Sequence, residues 1–121
     1  LVARVGANAG LLNKANGKFG VTDNTLVVSP KPSTHIDFIF HYLGNVKLNR
    51  LIFGSGQPLI TGSILKELPV QLPTLPEQRK ISDCLSSLDK LTAAQSERVA
   101  ILATHKQGLM QQLFPAPEAQ E

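Results

Sequence analysis

Cysteine is almost missing from this chain: Cys84 is the only one among 121 residues. No internal disulfide can form, and no zinc cluster can be built from thiolates. Cys84 falls on the apolar side of a predicted helix, where the expected role is that of a small buried hydrophobe. Long apolar runs are missing as well. None is long enough to span a bilayer, and nothing resembles a signal peptide. A reducing, cytoplasmic setting without membrane contact is the expectation. Internal repeats and low-complexity tracts are also lacking. The chain starts at Leu1 and its first residues already read as a strand, so a fragment of a longer protein is expected.

Signatures of catalysis are equally scarce. Gly6-Ala7-Asn8-Ala9-Gly10 lacks the dinucleotide fingerprint, and Gly54-Ser55-Gly56-Gln57 lacks the Lys-Ser/Thr pair that holds phosphates and magnesium. Both read as structural turns. His35 and His41 are six residues apart, which does not place them on one helix face, and His105 is far away. No metal site is expected from them. Ser55 has no nucleophile-elbow context. No Asp/Glu pair stands where acid–base chemistry would need it. The reading is a non-catalytic chain, and a small hydrolase would need a catalytic set that is not there.

Acids are few in the first part. Residues 1–75 hold seven Lys/Arg against three acids, for +4, while residues 76–121 hold five against six, for −1. An acidic partner would therefore meet the first part, unless these lysines are merely solvated surface. Apolar content of 42% suffices for a real core, and the length fits one domain with an appended element.

Local signals give the element order. Leu1–Val5, Lys18–Thr22 and Thr25–Ser29 read as strands, and Asn16-Gly17 as a hairpin turn. Pro30-Lys31-Pro32 breaks that pattern. Ser33 or Thr34 is placed to cap a helix with Ile36, Ile39, Phe40 and Leu43 on one face and Gly44 ending or bending it. Val46, Leu48, Leu51 and Ile52 predict another short helix. Thr61–Leu68 has room for one or two helical turns, and Val70-Gln71-Leu72 predicts a short strand.

The strongest signal is a proline-punctuated stretch running into a long helix. Thr74-Leu75-Pro76-Glu77 matches a capping box, with Pro76 in the first turn where its missing N–H costs little. Ile81, Leu85, Leu88, Val99, Leu102, Leu109 and Leu113 then fall on one heptad seam, with a polar middle at Thr92 and Gln95. At 1.5 Å per residue this helix would run roughly 55 Å, more than a 75-residue module can cover. Part of the stripe should meet another helix, although a helix packed on its own domain is the alternative. Pro115 and Pro117 stop the pattern ahead of a frayed tail.

Arg4, Lys14 and Lys18 cluster around predicted loops with Asn8, Asn13, Asn16 and Asn24. Lys and Arg neutralise phosphates, and Asn and Arg make bidentate contacts to base edges. Arg4, Asn8, Lys14, Asn16 and Lys18 are the candidate DNA contacts. Turn geometry explains any single Asn equally well.

Gly54-Ser55-Gly56-Gln57, then Ile60-Thr61, Leu65 and Leu72-Pro73-x-Leu75-Pro76-Glu77-Gln78-x-x-Ile81, resemble the specificity subunits of type I restriction–modification systems. So do Leu85, Leu88-Asp89 and the ending Lys106-Gln107-Gly108-Leu109-Met110-Gln111-Gln112-Leu113-Phe114. The resemblance covers roughly residues 1–114; the part before Gly54 (Arg4-Val5-Gly6, Phe19-x-x-Thr22-Asp23-Asn24) is the least diagnostic. It implies an α+β fold: a partial target recognition domain over 1–75, a long coiled-coil-forming spacer helix over 76–114, and a disordered tail over 115–121. It implies recognition of double-stranded DNA in a complex with methylation and restriction subunits. Those partners would carry S-adenosylmethionine, Mg and ATP; this chain would carry no cofactor. Two recognition domains and two antiparallel helices make a full subunit, so a single helix must borrow a second spacer helix or form a homodimer. The alternative reading is a helix-mediated dimerisation or scaffold module with no DNA binding of its own.

Overall fold

A computed structural model describes residues 1–51 and 58–114. The predicted turn Gly54-Ser55-Gly56-Gln57, Ile52 and the 115–121 tail lie outside the described residues. The chain divides into two units, Leu1–Asp83 and Cys84–Glu121, and its fold class is α+β.

The first residues form the central thread of the first unit. β1 (Val2–Ala3) pairs antiparallel with β2 (Thr25–Leu26), in the register Val2↔Leu26 and Ala3↔Thr25. Backbone groups alternate sides along a strand. Accordingly, the Ala3 N–H donates to Leu11 O and its carbonyl accepts from Gly10, on one edge. On the other edge the Arg4 N–H donates to Asn24 O, and Arg4 O accepts from Ile60. Isolated bridges Val2↔Leu12 and Val5↔Leu59 complete the pairing.

Both predicted strands at the start are thus much shorter than their apolar runs. The predicted strand Lys18–Thr22 does not form. Phe19 and Val21 alternate correctly but are half-exposed and have no paired neighbour among the described residues. Val70–Leu72 also stays irregular, because Pro69 and Pro73 at its flanks have no N–H to donate.

The core gathers Val2, Ala9, Leu43, Leu48 and Ile60, the last of these fully buried. Its main helical wall is α1 (Ile36–Val46), which buries Phe38 and Leu43. Ile39 packs against the core as predicted, but Ile36 is 42% exposed. Neither Ser33 nor Thr34 caps this helix. The cap position is His35, without a side-chain cap bond, and its N–H is satisfied from elsewhere. Gly44 does not end the helix either: α1 continues to Val46 and closes at Lys47 in the left-handed region, φ 54°. The predicted next helix is a single 3-10 turn, Leu48–Leu51. α2 (Gly62–Lys66) is capped by Thr61, whose Oγ1 accepts from the Ile64 N–H at 3.3 Å.

α3 (Leu75–Leu113) begins where the capping box placed it. The Thr74 N–H donates to Glu77 Oε2 at 2.9 Å. The Thr74 hydroxyl donates to the same oxygen at 2.7 Å rather than serving as the acceptor the box predicts. Those two bonds, the hydroxyl's first, hold the Glu77 carboxyl below its ordinary range.

The residues of α3 that are buried are polar: Gln78 and Ser82, each 1% exposed. Gln78 Oε1 accepts from His35 N at 2.8 Å, and its Nε2 donates to Ser33 O and Pro73 O at 3.1 and 2.9 Å. One side chain therefore ties the first turn of α3 to the entrance of α1, with both of its N–H donors and its oxygen engaged. Ser82 returns its hydroxyl to Gln78 O at 2.7 Å. Gln78 and Ser82 share a face at i, i+4. Ile81 and Leu85 form a neighbouring row, about 60° around the helix. Cys84 is exposed, contrary to the buried role expected of it, because burial along α3 ends at Ser82.

Candidate nucleic-acid interface

The polar and basic residues singled out in the first part do not form one patch. Lys14 is engaged: its Nζ lies 2.9 Å from Asp37 Oδ1 and 4.9 Å from the centre of the Phe40 ring. This joins the loop after β1 to the first turns of α1. The Lys14 hydrogen bond is the main reason that the Asp37 carboxyl lies below its ordinary 3.8, with burial acting against it.

Arg4 is half-buried, and its Nη1 donates to Asp23 O at 3.3 Å. Its Nε is buried with no hydrogen-bond partner among the described residues. Backbone pairing on both Arg4 N and O pins this residue under the 22–24 turn. Asn16 and Lys18 are exposed on the loop around Gly17, which adopts φ 78°.

Asn8 ends the 3-10 turn Gly6–Asn8, and its carbonyl accepts from the Leu11 N–H at 2.9 Å. It lines an open groove of about 630 Å³ between the 7–12 segment and the second half of α1. Of the predicted contact residues it alone does so. Gly10 makes the groove's wall close. At φ 91° it passes so near the next turn that a Cβ there would sit 2.8 Å from Asn49 N. Only glycine meets both demands.

Facing Asn8 across the groove's lining are Phe40, His41, Gly44, Lys47 and Asn49. The polar members His41, Lys47 and Asn49 were not singled out from sequence. They come from the end of α1 and the turn after it, and only the tight passage at Gly10 brings that turn beside residues 7–12. The charge inventory contained Lys47 but gave no reason to prefer it.

The seven predicted helix-interface residues lie along α3. Ile81, Leu85, Leu88, Val99, Leu102, Leu109 and Leu113 are all exposed, with Val99, Leu102 and Leu113 at 66%, 65% and 70%. Among the described residues no helix is long and apolar enough to cross a membrane.

Residues 1–101 match the family model described as the type I restriction modification DNA specificity domain. The chain is 34% identical over 97 residues to the specificity subunit of the type I restriction enzyme EcoprrI of Escherichia coli, covering 80% of this chain and 24% of that subunit. It is 28% identical over 114 residues to the MjaVIII specificity subunit of Methanocaldococcus jannaschii, covering 90% and 26%. A putative specificity subunit of Haemophilus influenzae is 31% identical over 79 residues, covering 65% and 20%. The chain thus spans about a quarter of the length of the curated relatives it matches.

Proposed function

Because the chain belongs to the type I restriction modification DNA specificity family, we propose that it contributes sequence-specific recognition of duplex DNA to a restriction–modification complex. The observation that carries this reading is the family match over residues 1–101, which takes in the basic first part and most of α3. The first part then supplies the DNA surface, as its +4 balance favours. Asn8 lies in the groove, and Asn16 and Lys18 are open to solvent. Lys14 reaches a phosphate only by leaving Asp37, and Arg4 acts near the 22–24 turn.

In this reading the chain does no catalysis of its own. Methylation and restriction subunits bring S-adenosylmethionine, Mg and ATP, and α3 pairs with a second spacer helix or with its copy in a homodimer. The exposed stripe of α3 supports that pairing, because seven apolar side chains on one face are left to solvent. The same stripe favours the second reading, a helix-mediated dimerisation module without DNA binding.

Titration of duplex DNA into the 121-residue chain at several salt concentrations separates the two. Recognition requires an affinity that falls linearly in log–log form as phosphate counterions are released. Lys18→Ala should flatten that slope by about one unit on every duplex. Association that ignores salt, with no duplex binding, would establish the dimerisation module instead.

A further inference from the structure

Lys47 closes α1 with φ 54°, and it is the one non-glycine residue with positive φ among those described. A side chain in the left-handed region crowds its Cβ against the backbone, which is why glycine or asparagine usually ends helices in this way. Asn45 stands two residues earlier and Asn49 two residues later, yet the lysine occupies the strained position. It is exposed, and it makes no ion pair among the described residues, unlike Lys14. It also lines the groove, together with Asn8, His41 and Asn49. A strained residue whose charge has no ion pair among the described residues, set among hydrogen-bonding side chains, marks a contact site better than a structural one.

Resting on the DNA reading above, we propose that Lys47 is the groove's phosphate-binding residue. The left-handed backbone turns the chain sharply at the end of α1, so that Lys47 and Asn49 both line the groove opposite Asn8. The lysine supplies a cation to a DNA phosphate, while the neighbouring amides are donors and acceptors for base edges. Lys47 would thus hold the register and would carry no sequence preference itself. The competing explanation is purely structural: a cation at a helix C-terminus complements the negative end of the helix dipole.

Lys47→Gly, Lys47→Gln and Lys47→Arg in the 121-residue chain decide between them. Salt-dependent binding to a set of unrelated duplexes is measured alongside thermal melting. Lys47→Gly removes both the charge and the strain, so it should melt no lower than the parent. Its salt slope should nonetheless flatten by about one unit on all duplexes alike. Lys47→Gln should lose the same slope, and Lys47→Arg should keep it. Parent-like DNA binding by the Gly and Gln variants, or a lowered melting temperature for Lys47→Gly with binding intact, would overturn the assignment to Lys47. Failure of the parent itself to bind any duplex would overturn the DNA reading and this inference with it.

Discussion

Around Val2, Leu48 and Ile60 the buried side chains are aliphatic, whereas along α3 the buried side chains are those of Gln78 and Ser82 and the leucines from Leu85 onward are exposed. In the first unit, burial of apolar surface is the cohesive force. At the start of α3 the contact is made by three hydrogen bonds of one amide. A polar contact of this kind is directional. It defines where the helix begins against Ser33, His35 and Pro73 without using the apolar stripe. The stripe itself is left exposed.

That contrast is broken most forcefully on the helix. Two leucines from each chain would be buried in a pair of α3 helices, each worth roughly 1.5–3 kcal/mol, or about 6 kcal/mol and more for the pair. Leu88→Asp combined with Leu102→Asp should therefore convert a dimer into a monomer in sedimentation. The melting of the first unit should stay unchanged, because both residues are exposed in the single chain. A concentration-independent monomer for the unmutated chain would show that the stripe does not self-associate.

A second test addresses the polar contact. Gln78→Ala leaves the His35 N–H and the Ser33 and Pro73 carbonyls without their partner. The expected loss is roughly 2–4 kcal/mol in chemical denaturation, against within about 0.5 kcal/mol for Leu102→Ala under monomeric conditions. Equal effects would mean that Gln78 is replaceable by water and that the contrast is superficial.

The smallest effect belongs to the surface pair of Lys14 and Asp37. The Asp37 carboxyl is depressed below 3.8, mainly by its hydrogen bond to Lys14. A depressed folded pKa contributes stability above the unfolded value and loses it as pH falls through the folded one. The side chains of the pair are 46% and 34% exposed, so solvent screening keeps the contribution below about 1 kcal/mol. Asp37→Asn should cost that much at pH 7. The difference from the parent should close as the pH drops below 3.8. A difference that persists once Asp37 is protonated in the folded chain would show that it acts through packing and not through its charge.

Much of this architecture was legible because it is local. Thr74, Pro76 and Glu77 lie within one turn of each other, so their order alone marks a helix start. Thr61 caps α2 for the same reason. Strand readings fared worse. Lys18–Thr22 has the right alternation, but a strand needs a neighbour, and none pairs with it among the described residues. The cap of α1 was misread because the donor at His35 is satisfied from 43 residues away. The candidate site was legible only at Asn8, since the rest of its groove arrives on a different element.

The amino-acid order by itself determined that α3 exists, where it starts and that its apolar residues share one stripe, since each of these depends on neighbours within a few positions. It also ruled out a disulfide within these 121 residues, there being one cysteine. Tertiary structure alone decided which face of α3 is buried, which lysine is occupied by a carboxylate and which is left over in the groove. Those outcomes turn on pairs such as Lys14 with Asp37 and Gln78 with Ser33, separated by 23 and 45 residues. Only the folded chain makes such pairs neighbours, because closing loops of that length is opposed by entropy until the core holds their ends together.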